Sequence, residues 1–421
     1  MKQHLYLCID LKSFYASVEC VERRMDAMTT NLVVADPKRG NGTICLAVSP
    51  SMKALGVRNR CRVFEIPKNI NYITAPPQMQ KYIDYSAGIY GIYLKYIAKE
   101  DIHVYSIDEA FLDVTDYLDF YHVSAKELAV MIMDDIKDSF GITASCGIGT
   151  NLYLCKIALD ITAKHVKDNI GFLNEKIYRE TLWNHRPITD FWRVGPGTAQ
   201  RLANMGIETM GDITRADERS LYKIFGVDAE LLIDHAWGRE PTTISDIKAY
   251  KPKENSLSSG QVLMEDYKYE DGLLIVKEMV DSLCLELVDR CLVTDTIGLH
   301  VGYSKKYAMK SVQCSSKIPV ITSSVRILMK YFVKLYQQHV NPCIPVRRIT
   351  IAFQNVRNDI YEQYSFFMNP ALEEKDQQIQ KTVLQIQKKY GKDALFKGMN
   401  LQEKSTAFIR NHQIGGHNSG L

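Results

Sequence analysis

The chain has 421 residues and a formal net charge of +3. A chain of this length is expected to form several domains, since one domain usually holds about 100 to 200 residues. Its mild charge does not by itself indicate a nucleic-acid partner. No apolar run reaches the ~18 residues of a membrane-spanning helix, and the first residues lead into a strand pattern rather than a signal peptide. The sequence therefore predicts a soluble, cytoplasmic protein without a membrane partner.

The ten cysteines show neither a Cys-x-x-Cys pair nor the spacing of zinc ligands. Most of them stand among apolar residues. Buried, reduced thiols are therefore expected rather than a disulfide-stapled or zinc-stabilised module.

The first predicted element is a strand with an acid near its end. Residues 5–19, L-Y-L-C-I-D-L-K-S-F-Y-A-S-V-E, begin as a β-rich run and place Asp10 where a helix can start. Further along, Asp108 and Glu109 interrupt the apolar run Y-S-I-D-E-A-F-L-D-V at 105–114. Fixed carboxylate oxygens are the ligands that hard cations require. Three carboxylates on neighbouring strands predict a site for two magnesium ions.

A solvated hairpin is the competing interpretation of an Asp-Glu pair, because acids are mostly exposed. Asp113 belongs to no motif, so it is still interpreted as a solvated acid of a hairpin.

Residues 192–207, W-R-V-G-P-G-T-A-Q-R-L-A-N-M-G-I, predict a helix-hairpin-helix with Gly195 and Gly197 in its turn. Such glycines let backbone N–H groups approach a phosphate without reading the base. An ordinary turn between two helices fits the same pattern. The helix after the turn is expected to bury three side chains: Ala199, Leu202 and Ala203.

The sequence from Thr296 to Asn358 contains no Asp or Glu. It is expected to be folded, since 296–304 and 348–356 alternate like strands and the apolar residues between 325 and 335 repeat like a helix. A basic folded face suits a DNA backbone, although a solvated face with no partner remains an alternative. The cations expected on DNA are Lys305, Lys306, Lys310, Arg347 and Arg348.

Three segments together resemble the Y-family, or translesion, DNA polymerases, in the bacterial UmuC-like branch. They are I-D-L-K-S-F-Y-A-S-V-E at 9–19, Y-S-I-D-E-A-F at 105–111 and G-I-G-T-N-L-Y-L-C-K at 147–156. The resemblance implies an α+β multidomain right-hand fold with a ferredoxin-like palm, small fingers, a helical thumb containing the helix-hairpin-helix, and an α/β little-finger domain. The implied boundaries are palm 1–30 and 75–165, fingers 31–74, thumb 166–239, linker 240–256, little finger 257–360, and clamp-binding peptide with tail 361–421.

The resemblance implies a template-directed DNA polymerase that adds deoxynucleotides to a primer by two-metal nucleotidyl transfer. Low fidelity and synthesis past damaged DNA, in DNA repair or the SOS response, are expected with it. Its partners would be primer-template DNA, a deoxynucleoside triphosphate and two Mg²⁺ ions, which Mn²⁺ can replace. The fingers are too short for a long closing helix, which predicts a permissive site. The need for an UmuD-like accessory subunit stays open.

The resemblance also assigns the metal ligands. Asp10 and Asp108 would bridge the two ions, and Glu109 would complete the ion that activates the primer hydroxyl. The carbonyl of Leu11 would bind the ion that carries the triphosphate.

Nucleotide contacts are assigned in the same way, to Ser13, Phe14, Tyr15, Lys53 and Lys156. The ring of Tyr15 would exclude a 2′-hydroxyl, and Lys156 would reach the β- and γ-phosphates. The fingers depart from the family pattern, because the positions of its Tyr and Arg fall near Ser49, Pro50 and Lys53. Lys53 supplies a charge there without a guanidinium fork.

Two features follow the basic block. A pentapeptide that resembles the bacterial sliding-clamp motif consists of Gln363, Tyr364, Ser365, Phe366 and Phe367, although a core-packing strand end is an alternative. From Pro370 onward, Ile379, Val383 and Ile386 predict a short helix followed by disorder.

Two other functions compete with the polymerase. A nucleotide cyclase can share the carboxylate geometry, but it needs no duplex-binding domains. A catalytically dead DNA-binding adaptor needs no carboxylates. The presence of both features favours a polymerase.

Overall fold

The computed structural model describes residues 4–252, 255–359 and 370–420. It contains two compact units, one ending at Tyr250 and one beginning at Lys251. Within the described residues, no helix has the length and apolar character needed to cross a membrane. The predicted clamp peptide, Gln363 to Phe367, lies outside the described residues.

The first unit alternates strands and helices before it becomes helical. Its elements in chain order are β1 (Tyr6–Leu11), α1 (Phe14–Glu22), β2 (Leu32–Val34), β3 (Ala47–Val48), α2 (Pro50–Ala54), β4 (Ile73–Ala75), α3 (Met79–Tyr96), β5 (Ile102–Val104), β6 (Glu109–Asp113), α4 (Tyr117–Tyr121), α5 (Ala125–Phe140), β7 (Ala144–Gly149), α6 (Leu152–Ile157), β8 (Ile170–Leu173), α7 (Glu175–Leu182), α8 (Pro196–Ala203), α9 (Met210–Arg215), α10 (Glu218–Phe225), α11 (Asp228–Trp237) and α12 (Ile244–Ala249).

A five-stranded sheet in the order β5-β6-β1-β7-β8 forms the centre of this unit. Strand β1 runs antiparallel to both neighbours, and β7 runs parallel to β8. The interior of β1 is fully buried, as expected of a central strand covered on both faces. A smaller sheet, β3-β2-β4, has its own apolar core around Val33, Val48 and Met52.

Glycines allow α6 to lie directly on β7. A Cβ atom at Gly147 would come within 2.1 Å of the Cys155 carbonyl oxygen, and one at Gly149 within 2.2 Å of the Cys155 nitrogen. Any larger residue would push the helix away from the sheet. The two glycines of the G-I-G-T segment therefore determine the position of the helix that carries Lys156.

The predicted helix-hairpin-helix segment is only partly as expected. Gly195 is the N-cap of α8, whereas Gly197 lies inside the first turn of that helix. The element before it is a single 3₁₀ turn, Ile188–Asp190. Of the predicted inner face, Leu202 is buried and Ala199 packs against the core. Ala203 is exposed, so the prediction for that residue was wrong.

The region expected to be a linker contains regular structure. Helix α12 occupies 244–249, where Thr243 and Asp246 form a capping box. A capping box satisfies free N–H groups at a helix start, which explains why a polar segment can be helical. The boundary between the two units follows directly after this helix.

The second unit is a sheet backed by helices. Its elements are β9 (Leu257–Tyr267), α13 (Tyr269–Asp289), β10 (Leu292–Tyr303), β11 (Val312–Thr322), α14 (Val325–His339), β12 (Val346–Gln354), β13 (Arg357–Asn358), α15 (Pro370–Tyr390), α16 (Ala407–Asn411), β14 (Gln413–Ile414) and β15 (His417–Asn418).

Its main sheet has the antiparallel order β11-β10-β12-β9. The predicted strands of the acid-free block are confirmed as parts of β10 and β12, and the predicted helix is α14. Alternate residues of β10 and β12 join Leu328 and Phe332 in one core with α13. The period-two and helical patterns thus identified the buried faces correctly.

The prediction of disorder after a short helix was wrong. Helix α15 has 21 residues, and ordered turns continue to residue 418. A carboxylate of α13, that of Glu278, is buried beneath this segment. It accepts a hydrogen bond from the Thr406 N–H at 3.0 Å and one from the Asn400 amide at 3.3 Å. A buried, hydrogen-bonded anion has no counterpart in a periodicity pattern, so sequence analysis missed it.

Candidate active site and nucleic-acid interface

The strand register brings the predicted acids together. Asp10 lies directly opposite Glu109 in the β1–β6 pair, and the Leu11 N–H donates to the Asp108 carbonyl oxygen at 2.9 Å. Opposite residues of an antiparallel pair point to the same face of the sheet. The three carboxylates therefore stand at neighbouring strand ends.

The Asp10 carboxylate is repelled by the two acids beside it. Burial, together with the charges of Asp108 and Glu109, raises the pKa of Asp10 to about 7, against the opposing effect of Lys156 and Lys164. The Asp108 carboxylate accepts a hydrogen bond from the Ser106 hydroxyl at 2.6 Å. Mutual repulsion of this kind is relieved when a cation binds between the acids.

The Glu109 side chain is turned toward a lysine. Its carboxylate lies 2.8 Å from the Lys156 ammonium and accepts a hydrogen bond from the Cys8 thiol at 3.2 Å. Both charged side chains are only 8% exposed. In this arrangement no three His, Cys, Asp or Glu side chains of the described residues are close enough together to hold a metal ion.

Lys156 is held by two acids. Besides Glu109, it pairs with Asp160 at 3.1 Å. Burial alone would lower the pKa of Lys156, but the two carboxylates outweigh it and the pKa lies above its ordinary value. The predicted contact of this lysine is with nucleotide phosphates, whereas here its ammonium is occupied by protein carboxylates.

The local fold explains the position of Lys156. Asn151 caps α6 by accepting a hydrogen bond from the Leu154 N–H at 2.8 Å, and its amide donates to the Gly238 carbonyl at 2.9 Å. The helix continues as a π-helical turn, Ala158–Thr162. Such turns often occur at functional sites because they change the direction of side chains. This one carries Asp160.

Tyr15 lies beside the acids and stacks on a second tyrosine. The ring centroids of Tyr15 and Tyr82 are 4.5 Å apart, with an interplanar angle of 17°. Burial raises the pKa of Tyr15 and the charge of Asp108 raises it further, which places the phenol near that carboxylate. The neighbouring Phe14 is buried, so its ring belongs to the core. Ser13 precedes α1 in a left-handed conformation, with φ at 49°.

A buried acid fixes the supporting ring. The Tyr82 hydroxyl donates to Glu19 at 2.6 Å, and the Gln78 amide donates to the same carboxylate at 3.1 Å. Glu19 has no exposed surface and also pairs with Arg23. Sequence analysis missed this network, since 63 residues separate Glu19 from Tyr82 and no local pattern connects them.

Ser49 and Lys53, both predicted to lie near the triphosphate, have different roles. Ser49 is buried, donates to the Thr30 carbonyl at 2.8 Å and caps α2, so its hydroxyl is used structurally. Burial lowers the pKa of Lys53, whereas Asp10 and Asp108 raise it, which places its ammonium within electrostatic reach of the acids. Only Lys53 is therefore available to a ligand.

Lys164 is a further cation that sequence analysis missed. It pairs with Asp160 at 3.7 Å, and its charge acts on both Asp10 and Lys53. Its spacing of eight residues from Lys156, with Asp160 halfway, was a helical signal that could have revealed it.

In the second unit, the face of the main sheet opposite the core shared with α13 and α14 includes glycine, polar and basic residues among those that the structure describes. The strand registers place Arg348 between Val262 and Gly302, and Thr350 between Gly260 and His300. The predicted basic residues lie at one end of this sheet or in the loop beyond it. Two of them, Lys306 and Arg347, pair with Asp266 at 3.3 and 3.6 Å. Lys305, Lys310 and Arg348 are exposed.

Comparison with known proteins identifies the family. The sequence model of the impB/mucB/samB family matches residues 9–160, and that of the C-terminal domain of this family matches residues 254–366. The chain belongs to the Y-family DNA polymerases. It is therefore a DNA-directed DNA polymerase of the translesion and DNA-repair class.

Two bacterial relatives match this polymerase along nearly their whole length. UvrX of Bacillus subtilis, a protein assigned to UV-damage repair, is 30% identical over 98% of this chain and 97% of its own. DNA polymerase IV 2 of Halalkalibacterium halodurans is 27% identical over 97% and 98%. A solved Y-family polymerase chimera, Dbh-Dpo4-Dbh, has a TM-score of 0.67 over 84% of this chain and 99% of its own. At 20% identity that last likeness concerns the fold alone.

Proposed function

We propose that this chain extends primed DNA past damaged bases by two-metal nucleotidyl transfer with low fidelity. The observation that carries the proposal is the meeting of Asp10, Asp108 and Glu109 at adjoining strand ends, beside Tyr15 and three lysines. Carboxylate oxygens with excess negative charge fit divalent magnesium. When bound, two magnesium ions make the primer hydroxyl nucleophilic and neutralise the leaving pyrophosphate.

The residues of the chain would share the remaining work. Asp10 and Asp108 would hold both ions, and Glu109 would join them after its carboxylate leaves Lys156. The carbonyl of Leu11 is the fourth proposed ligand. Lys156 would then be free to meet the β- and γ-phosphates, together with Lys53, which already acts on the carboxylates.

Sugar selection is assigned to Tyr15. Its ring is supported from one side by Tyr82, so it cannot retreat when a 2′-hydroxyl meets the other side. Rejection by clash needs a rigid wall, because a mobile ring would move and admit the larger sugar. Phe14 and Ser13 would position Tyr15 and the triphosphate from the start of α1.

DNA binding is assigned to two surfaces, one in each unit. At Gly195 and Gly197 an added Cβ would meet nothing within 4 Å, so packing does not require glycine there. Close approach of a phosphate backbone supplies a reason for both glycines. In the second unit, the small residues around Thr350 allow a backbone to approach the sheet, and Lys305, Lys310 and Arg348 supply charge. Lys306 and Arg347 would leave Asp266 and bind DNA phosphates instead.

The proposed domains keep the boundaries given above: palm, fingers, thumb, little finger and tail. Recruitment by a sliding clamp is proposed for Gln363 to Phe367, and action in the SOS response belongs to the same proposal. The short fingers support low fidelity, because a site that demands little shape complementarity accepts distorted templates and wrong bases alike.

A primer-extension assay on intact and abasic templates tests the proposal. The purified chain should extend both primers with Mg²⁺ and neither with a chelator. Asp108→Ala should abolish extension, whereas Asp113→Asn, which changes an acid at the far end of β6, should extend like the wild type. Absence of metal-dependent extension by a folded wild-type chain would refute the proposal.

A further inference from the structure

The residues near α2 contain two cysteines that the proposed chemistry does not use. Ile44 forms an antiparallel bridge with Arg62. On one side of the bridge the Cys45 N–H donates to the Cys61 carbonyl oxygen at 2.8 Å, and on the other the Val63 N–H donates to Thr43 at 3.1 Å. Cys45 and Cys61 therefore stand directly opposite each other on two adjacent extended segments.

This pairing has the geometry of a disulfide. Opposite residues of an antiparallel ladder have Cα atoms about 4.5 to 5.5 Å apart, and disulfides span about 4.4 to 6.8 Å. Both side chains face the same apolar cluster, in which Cys45 is fully buried and Cys61 lies at the partly exposed edge. The two sulfurs can therefore meet without a change of face.

We infer that Cys45 and Cys61 are a modification site, a thiol pair that peroxide converts into a reversible disulfide. Solvent reaches Cys61 first. Its thiolate attacks one peroxide oxygen, the O–O bond breaks, and water leaves after protonation, so that Cys61 becomes a sulfenic acid. The Cys45 sulfur then attacks Cys61, the S–O bond breaks and a second water leaves. One hydrogen peroxide is reduced by two electrons, and two thiols become one disulfide.

The second step is the slow one. Burial, together with the nearby Cys61, raises the pKa of Cys45 to about 12, so that few Cys45 side chains are thiolates at neutral pH. The sulfenic acid of Cys61 therefore lives long enough to be trapped. Proximity favours formation of the disulfide over further oxidation of Cys61, because the Cys45 sulfur that attacks the sulfenic acid already lies beside it.

The disulfide would close a loop over residues 46–60, which contains Ser49, Lys53 and Arg60. Closing this loop would restrict the segment that holds Lys53 near the carboxylates. The thiol chemistry itself does not depend on the proposed polymerase mechanism, so a test of the sulfurs can succeed or fail separately from a test of activity.

The experiment uses the full chain with Cys291→Ser and Cys343→Ser, which removes the two exposed thiols. After hydrogen peroxide, alkylation and trypsin, mass spectrometry should find peptides 40–53 and 61–62 joined with a loss of about 2 Da, and a reductant should separate them. A dione probe added with the peroxide should label Cys61 and leave Cys45 unlabelled. Cys314 is the matched control, since it is partly exposed and its thiol meets the Leu299 carbonyl oxygen at 3.7 Å instead of a sulfur. It should form no disulfide.

Changing Cys45 to Ser should remove the joined peptides and leave Cys61 to proceed to sulfinic acid. The inference is overturned if Cys45 stays fully alkylatable while Cys61 is oxidised. It is equally overturned if Cys61 joins another cysteine, or if Cys314 forms disulfides to the same extent.

Discussion

The ammonium group of Lys156 lies 2.8 Å from the Glu109 carboxylate, and both side chains are buried. The pair joins β6, which begins at Glu109, to the helix proposed to meet the nucleotide phosphates. It neutralises Glu109 while the site holds no cation, and it must open for Glu109 to bind one. The closed ion pair therefore favours stability, whereas the proposed catalysis requires it to open.

Lys156→Ala should destabilise the protein by about 3 kcal/mol, because removing one partner leaves a buried charge unpaired. Urea unfolding measures this loss. Lys164 is mostly exposed and pairs with Asp160, which is also the second acid beside Lys156. Lys164→Ala should therefore cost less than about 1 kcal/mol. If both variants lost the same free energy of unfolding, burial of the Lys156–Glu109 pair would not be the cause of its larger expected effect. Lys156→Met combined with Glu109→Gln should recover part of the loss, since neither group then carries an unpaired charge.

Asp10→Asn should stabilise the metal-free protein at pH 8. The folded-state pKa of Asp10 is raised to about 7, above its ordinary value near 4. Below pH 4 the group is protonated in both states, and as pH rises through 7 the folded state loses its advantage. The wild type should therefore lose on the order of 4 kcal/mol between pH 4 and 8, most of it above pH 5, and the variant should not.

Unfolding with a chelator at pH 5 and pH 8 measures this difference. Added Mg²⁺ should restore stability to the wild type at pH 8 and have little effect on the variant. Asp113→Asn is the control and should follow the wild type at both values. If the free energy of unfolding of Asp10→Asn changed with pH as in the wild type, the proposed repulsion of Asp10 by Asp108 and Glu109 would be rejected.

Tyr15→Ala should admit ribonucleotides, lowering the preference for deoxynucleotides by about 100-fold. Tyr82→Ala should lower it by a smaller factor, because the ring of Tyr15 loses its support. Tyr82→Phe keeps the stacked ring without the hydrogen bond to Glu19 and should stay closer to the wild type. The ratio of kcat/KM for the two sugars measures the effect. Unchanged selectivity in Tyr15→Ala would reject this residue as the gate.

Glu278→Gln should loosen the C-terminal segment from the second unit. The carboxylate accepts hydrogen bonds from Thr406 and Asn400, and its charge opposes the effect of burial on the nearby Arg410. Its loss should cost about 2 kcal/mol, since buried donors lose an ionised partner. Limited trypsin digestion should cleave faster after Lys397 and Lys404.

Glu286→Gln is the matched control for that experiment. It lies on the same helix and pairs with the exposed Arg290, so its cleavage pattern should be unchanged. Cleavage of Glu278→Gln at the wild-type rate would show that the segment is held by other contacts.

The sequence by itself determined the family, the strand that carries Asp10, the acid pair at 108 and 109, and the strands and helix of the acid-free block. These features are local, because a short motif, or an apolar residue repeating every two or 3.6 positions, involves only residues that are close together in the sequence. The disorder predicted to follow a short helix was wrong, because polarity does not reveal a buried partner such as Glu278.

Only the tertiary structure decided which side chains meet. Pairing of β1 with β6 placed Asp10 opposite Glu109, and α6 brought Lys156 to the same carboxylate. Tyr82 behind Tyr15, and Cys45 opposite Cys61, likewise depend on segments that are distant in sequence. The physical reason is that hydrogen-bond register and side-chain packing join distant residues through shape and charge, for which no local pattern exists.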